Sequence, residues 1–436
     1  MRNFFLSLLL MMCSATICAQ DYVPTEENLQ SRKEFDECRF GIFIHWGIYS
    51  MLAQGEWFMH EHNINRWEYA KMADGFYPHH FNANDWVRAI KDSGAGYITF
   101  TSRHHDGFSM WDTEQSNYNI VDATPYRKDV IKQLADACHE QGIRLHFYYS
   151  HLDWRRDDYP MGRTGHGVGK SAKKGNYDHY FKFMNNQLTE LLTKYGKIGA
   201  IWFDGMWDHD GDSVPFDWRL REQYDMIHNL QPGCLVGNNH HDKVNPGEDI
   251  QIFEHDLPGQ NTTGWIKEGA GVSDQLPLET CTTMNGMWGF KITDPNYKST
   301  EELVGLLIKT AGLGANLLLN IGPQPNGELP AMALERLNGI GLYMKKYGST
   351  IKGTKAGDVK PQDWGTTTRK DNHLYVHIIN KDTLSIELPL TCKVKKAIEF
   401  DTQKKIPFKK TPEGILLTLN EHKDKIDYII DLETKQ

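Results

Sequence analysis

Cysteine is scarce in this chain, with seven in 436 residues, two of them (Cys13 and Cys18) near the start. The other five, Cys38, Cys138, Cys234, Cys281 and Cys392, are widely scattered and odd in number. That excludes a disulfide scaffold and paired-cysteine zinc spacing, and suits small buried hydrophobes. Long apolar runs are also missing: the stretch Phe4 to Met12 is too short to span a bilayer, and no later one is longer. No dense Lys/Arg block appears and the formal net charge is −9, which argues against a nucleic-acid partner. Internal repeats and low-complexity tracts are absent, as are a Gly-x-Ser-x-Gly elbow and a Walker-type phosphate loop.

What remains is a globular balance, 39% hydrophobic and 24% charged, in a length that suits one large domain and one small one. Arg2, the apolar run Phe4 to Met12 and the small residue Ala19 have the pattern of a cleaved signal peptide over residues 1–19. The residues before Cys13 and Cys18 do not make a convincing lipobox, so the expectation is a secreted or periplasmic protein without a lipid anchor. Asn261-Thr262-Thr263 is a glycosylation sequon, relevant only in a eukaryotic secretory route.

From Phe40 to about Tyr347, short apolar runs alternate with amphipathic stretches. Phe40–His45, Tyr97–Phe100, Leu145–Tyr149, Ile198–Phe203, Cys234–Gly237, Gln251–Phe253 and Leu317–Asn320 read as buried strands. Asp85–Lys91, Val130–Cys138, Phe181–Leu192, a capped helix from Ser299 to about Thr310, and Leu334–Tyr347 read as helices. This alternation predicts an α/β fold, an irregular (β/α)₈ TIM-like barrel over residues 20–350. After Ile351 the period becomes two, at Leu374, Val376 and Ile378, at Leu384, Ile386 and Leu388, and at Ile415, Leu417 and Leu419. That predicts an all-β sandwich over residues 351–436, read as a structural cap because its single tryptophan is Trp364. Charge follows the same division. Residues 20–350 hold 31 Lys/Arg against 44 Asp/Glu, and residues 351–436 hold 16 against 13.

In such barrels chemistry sits at the carboxyl ends of the strands. The residues ending the apolar runs are rich in Trp, His and Tyr: His45-Trp46, Arg103-His104-His105-Asp106, Tyr148-Tyr149-Ser150, Trp202-Phe203-Asp204, Asn238-Asn239-His240-His241, Glu254 and Asn320. Asp204 and Glu254 each follow a strand directly, and two carboxylates facing one pocket suit glycoside hydrolysis. Aromatic faces would stack on the sugar while His, Asn and Tyr bond its hydroxyls. The histidines 45, 104, 105, 240 and 241 raise the alternative of a metal. The first strand, however, ends in a lone His before Trp, and adjacent histidines do not readily chelate one ion from a strand, so no metal or cofactor is expected.

At these residues the chain resembles the α-L-fucosidases of glycoside hydrolase family 29. The resemblance is carried by Phe40–Gly47, Gly55-Glu56-Trp57, His104–Phe108, Tyr148-Tyr149-Ser150, Leu152-Asp153-Trp154, Trp202–Gly205, Glu279–Thr282, Trp288-Gly289 and Gly314–Pro323, in order. It implies a retaining exo-α-L-fucosidase acting on fucosylated oligosaccharides or glycoconjugates, with Asp204 as nucleophile and Glu254 as general acid/base. Glu279 is the runner-up for the acid, ahead of Glu248 and Asp249. His45, Glu56, Trp57, His104, His105 and Tyr148 would bind fucose, Trp202 would lie beside the nucleophile, and Trp288 near the C6 methyl. Where many members have an Asn-Asp-Arg-Trp run, this chain has Asn238-Asn239-His240-His241, which bears on subfamily and aglycone preference. The other readings are an exo-glycosidase for a fucose-like sugar such as an α-L-galactoside, and a non-catalytic fucose-binding protein. Linkage preference and oligomeric state are not encoded in any of these patterns.

Overall fold

The computed structural model describes residues 22–170 and 175–435. The expected signal peptide, residues 1–19, lies outside the described residues. Eight parallel strands form one sheet: β1 (Phe40–Ile44), β2 (Tyr97–Arg103), β3 (Arg144–Ser150), β4 (Ala200–Asp204), β5 (Leu235–Asn238), β6 (Gln251–Glu254), β7 (Leu278–Thr283) and β8 (Ala315–Ile321). Their order is β5-β4-β3-β2-β1-β8-β7-β6, so the sheet curls until β5 and β6 meet. Most of these strands carry short apolar runs, β7 excepted, because both faces are covered. Phe40, Ile42 and Ile44 pack outward among the helices, while Phe43 joins Tyr97, Tyr148 and Trp202 inside the barrel.

The helices Ala83–Asp92, Val130–Gln141, Tyr177–Lys194, Leu220–Leu230 and Thr300–Gly312 cover the strands from outside. Capping is local and sequence-encoded. Asn82, Asp129 and Asn176 each accept a backbone N–H of the first turn, and Ser299 with Glu302 forms a reciprocal capping box. No helix stands between β5 and β6 or between β6 and β7. The seam between β5 and β6 has one isolated bridge, Gly237 to Ile250. Asp249 reinforces it: its carboxylate accepts the Val236 N–H at 2.8 Å and is paired with Arg32 at 2.6 Å and His228 at 2.8 Å. Arg32 belongs to the helix Glu26–Asp36, which closes the amino end of the barrel, with Phe35 against Tyr97 and His146.

Two antiparallel sheets follow. One has the order β13-β16-β11-β10-β9, from β9 (Lys355–Ala356), β10 (Gly365–Lys370), β11 (His373–Ile378), β13 (Lys393–Glu399) and β16 (Tyr428–Lys435); the other joins β12 (Ser385–Leu388), β15 (Ile415–Thr418) and β14 (Phe408–Lys410). Their inner faces share a core that includes Leu374, Val376, Ile378, Ile386, Leu388 and Leu417, the alternating residues of the sequence. Leu384 departs from that pattern: it precedes β12 and is 56% exposed. The last long helix, Ala331–Tyr347, docks this layer through Tyr343, whose hydroxyl donates to Asp427 at 2.7 Å, and Asp427 also holds His377 at 2.8 Å. Among the described residues, no helix is long and apolar enough to cross a membrane.

The candidate active site

A cavity of about 620 Å³ opens at the carboxyl ends of the strands, and of the anticipated residues His45, Glu56, Trp57, His104, Tyr148, Trp202, Asp204, Glu254 and Trp288 line it. Asp204 ends β4 and is 9% exposed. The turn after it requires Gly205, at φ +89°, where a Cβ would lie 2.6 Å from Leu152 Cβ. Three donors surround the carboxylate. Tyr148 O–H reaches Oδ2 at 2.9 Å, and Oδ1 accepts from Trp207 Nε1 at 2.9 Å and Asn239 Nδ2 at 3.4 Å. These donors fix the orientation of the carboxylate.

Glu254 ends β6, two strands away around the barrel, and its Oε2 accepts from the same Asn239 amide at 2.7 Å. The 3.4 and 2.7 Å legs of that bridge keep these two carboxylate oxygens within about 6.1 Å of each other. Burial, and then the charge of Asp204, push the Glu254 carboxyl up to about 8. One carboxylate is thus held in place by three donors while burial and its neighbour's charge raise the other, the arrangement that acid-assisted displacement needs.

The histidines present acceptors. Asn320 commits its amide N–H to Trp288 O, so its Oδ1 faces His45 Nδ1 at 2.7 Å as an acceptor and Nδ1 carries the hydrogen. Ser150 O–H donates to Leu152 O, so it accepts from His105 Nδ1 at 2.7 Å. Burial lowers both imidazoles to about 3 and leaves each neutral with its lone pair on Nε2; of the two, His45 lines the cavity and His105 does not. His105 Nε2 lies 3.5 Å from Asp204 Oδ2. Two acceptors at that spacing make a place for a hydroxyl hydrogen. His104, stacked on Tyr148 at 5.2 Å, has a buried Nδ1 with no partner among the described residues.

Glu56 is buried and accepts the Gly289 N–H at 2.7 Å, with its carboxyl raised by burial. Trp57 stacks on Trp207, and Trp288 lies beside Phe43 and His45. Trp202 stacks on Tyr148 and donates from Nε1 to Glu279 at 2.9 Å. Glu279 itself does not line the cavity. It sits inside the barrel beneath Trp202, also accepting from Tyr97 O–H, with its carboxyl pushed up to about 7 by burial. Glu248 faces Tyr224 and His240, and Asp249 faces the seam, so neither reaches the cavity. The structure adds Asn239, Trp207, Arg163, His241 and Trp265 to the lining. In the sequence Asn239 and His241 carry one signal, their place after a strand. Trp207, on a short 3₁₀ helix, and Arg163 and Trp265, on loops, carry none.

The sequence model of the family described as alpha-L-fucosidase matches residues 9–349. The chain belongs to the α-L-fucosidase family. It is 31% identical over 404 residues to the plasma alpha-L-fucosidase of Rattus norvegicus, covering 85% of this chain and 83% of that protein. Among solved structures, alpha-L-fucosidase isoenzyme 1 from Paenibacillus thiaminolyticus superposes with a TM-score of 0.82 at 30% identity, covering 94% of this chain and 100% of that one. The alpha-L-fucosidase from Vibrio sp. strain EJY3 gives 0.81 at 26% identity, covering 95% of this chain and 74% of that one. The fold of the family, a parallel barrel followed by antiparallel sheets, is the fold found here.

Proposed function

We propose that the protein is an exported, retaining exo-α-L-fucosidase that releases terminal α-L-fucose from glycans. The observation that carries this reading is the pair of carboxylates, Asp204 and Glu254, joined through Asn239 in one aromatic cavity. Retention requires carboxyl groups about 5–5.5 Å apart and inversion about 6.5–9.5 Å. The bound of about 6.1 Å on the bridged oxygens supports the first. In this reading Asp204 attacks C1 as the bond from C1 to the leaving oxygen breaks, and Glu254 gives that oxygen its proton. The ionised Glu254 then takes a proton from water, which attacks C1 and frees Asp204. His45 and His105 accept hydrogens from the sugar hydroxyls, and Tyr148 and Trp207 hold the nucleophile between the two steps. Phe43 and Trp288 supply the apolar wall that suits a methyl group at C6.

Export rests on Arg2, the apolar run after it and Ala19. The test of activity is release of fucose from an aryl α-L-fucoside and from fucosylated oligosaccharides. Turnover with retained anomeric configuration, followed by NMR, is expected. No release from either class, or a first product of inverted configuration, would refute the reading. An aryl α-L-galactoside run alongside reports whether the C6 wall rejects a hydroxymethyl group. The export part is checked by N-terminal sequencing of the exported protein.

A further inference from the structure

Away from the catalytic cavity, an arginine of the barrel stands without a counter-ion. It borders a second cavity, of about 770 Å³, among the loops that follow β1, β2 and β3, and the two cavities share no lining residue. We infer that this second cavity is a non-catalytic binding site for an acidic sugar, whose carboxylate or sulfate oxygens pair with the Arg155 guanidinium.

Four arginines gather here, Arg66, Arg103, Arg155 and Arg156. Three have a carboxylate each: Arg66 pairs with Asp157 at 2.7 Å, Arg156 with Asp158 at 2.5 Å, and Arg103 with the buried Asp153. Arg155 has none within 4 Å among the described residues, and its buried Nε finds no hydrogen-bond partner there. The side chain is half-buried all the same, packed 4.0 Å from the ring centre of Tyr118 and 5.0 Å from that of Trp67. Burial and the charges of the other three arginines work against its cation. Contact with the rings answers part of the charge but gives the N–H groups no acceptor. A planar fork with its donors unspent is what a carboxylate or sulfate meets with two parallel hydrogen bonds.

Beside it the hydroxyl of Tyr118, a residue 4% exposed, is also buried without a partner among the described residues. Two orphaned donors on one cavity wall are uncommon in folded chains, where such groups are nearly always paired. The nearby buried Asp106 is engaged elsewhere, accepting from Phe108 N–H at 3.1 Å and from Tyr69 O–H at 3.4 Å.

The rest of the lining says what kind of anion fits. Asp74, Asn117, Asp122 and Arg127 are exposed at the mouth, while Arg155 and Tyr118 lie deeper. Asp74 and Asp122 repel a free ion of high charge, yet carboxylates and an amide are good partners for hydroxyls. Arg127, on left-handed backbone at φ +55°, has no carboxylate within 4 Å among the described residues and adds a donor at the mouth. Cation lies within and hydroxyl-binding groups without. A hydroxylated ring bearing one anionic group matches that order, and the space takes a whole pyranose rather than an ion alone.

Saturation-transfer NMR on the full chain supplies the test, with excess L-fucose present to occupy the catalytic cavity. The probes are methyl β-D-glucuronoside, methyl β-D-glucoside 6-sulfate and methyl β-D-glucoside. The two acidic sugars should give signals, the neutral one none, and inorganic sulfate should weaken the signals by competing for Arg155. In Arg155→Gln the affinity for both acidic sugars should fall at least about ten-fold, and in Arg155→Lys, which keeps the charge and loses the fork, nearly as far. Arg127→Asn, chosen because asparagine tolerates left-handed backbone, should cost about three-fold and replaces Arg155→Gln if that variant does not fold. Hydrolysis of an aryl α-L-fucoside should be unchanged in every variant and with either acidic sugar present. Equal signals from neutral and acidic sugars, no signal from the acidic ones, or unaltered affinity in the variants overturns the site. Binding of sulfate with no response from the acidic sugars overturns the sugar and leaves a free-ion site. Competitive inhibition of fucoside hydrolysis by the glucuronoside would put it in the catalytic cavity and likewise overturn the inference.

Discussion

The two halves of the barrel rim are built differently. From β1 to β4 every strand pairs with the next along a full parallel ladder, and a helix packs in each crossover. On that half stand His45, His104, His105, Tyr148 and Asp204, with His45 Nδ1, His105 Nδ1, the Tyr148 hydroxyl and both Asp204 oxygens fixed by hydrogen bonds. From β5 to β7 the ladder breaks at the seam, no helices intervene, and apart from Glu254 at the end of β6 the side chains stand on loops or on left-handed backbone. On this half stand Asn239, His241, Glu254 and Trp265. In the proposed reading the regular half holds the sugar and its nucleophile, and the irregular half carries the acid. A glycosidase must hold one sugar closely while meeting varied aglycones, and irregular structure is where such variation costs least.

The comparison is broken most directly at the nucleophile. Asp204→Ala should lower kcat on the order of 10⁴-fold while the far-UV spectrum and melting curve stay near wild type. Azide added to Asp204→Gly should give the β-fucosyl azide, since the displacement then inverts C1 once. On the irregular half Glu254→Ala should lose about 10²–10⁴-fold with poor leaving groups and far less with an aryl fluoride-type leaving group. Here azide should intercept the fucosyl-enzyme and give the α-fucosyl azide. The acid must be protonated to act, and its carboxyl is raised to about 8. Wild-type kcat/KM should therefore fall as pH rises through about 8, and that limb should be absent from Glu254→Ala.

Asn239 joins the halves, and its removal tests whether they work as one. Asn239→Ala should cost roughly 10- to 100-fold in kcat, as expected for loss of a charge-assisted hydrogen bond. The Asn239 amide stabilises ionised Glu254, so losing it should also move the basic limb to higher pH. A variant with reduced activity and an unmoved limb would show that the bridge does not set the acid's proton affinity. The smallest effect is expected for Glu279→Gln, less than about ten-fold, because that carboxyl only holds Trp202 from beneath. Loss of the basic limb in Glu279→Gln would transfer the acid role to it.

The same division governs what is legible in the chain. Strands β1 to β4 are continuous apolar runs ending in polar residues, so the amino-acid pattern alone locates Asp204 and its aromatic neighbours. β7 gives no such signal. Leu278-Glu279-Thr280-Cys281-Thr282-Thr283 has no apolar run, because Glu279 turns inward to bond Tyr97 and Trp202 while Thr280 turns outward to the Asp256 backbone. The helix Leu220–Leu230 is hidden for a different reason. Its N-cap, Arg219, is left-handed and gives no side-chain cap, so the usual start signal is absent. Glu254 stands out because it follows Ile252-Phe253. Nothing in the spacing says that the Asn239 side chain spans to both carboxylates, since that contact is made across the seam by backbone geometry.

The tautomers of His45 and His105 have a consequence for which ligands the pocket will refuse. Each ring has committed its Nδ1 hydrogen to the protein, and in the proposed reading its Nε2 lone pair is left for the sugar. Such a pocket tests for hydrogen atoms rather than for oxygen atoms. Fluorine in place of a hydroxyl at either position keeps the size and the polarity but sets lone pair against lone pair. A methyl ether does the same with added bulk. Either analogue should bind worse than one in which the hydroxyl is simply deleted, because deletion leaves a gap that a water molecule can enter to donate what the sugar no longer can.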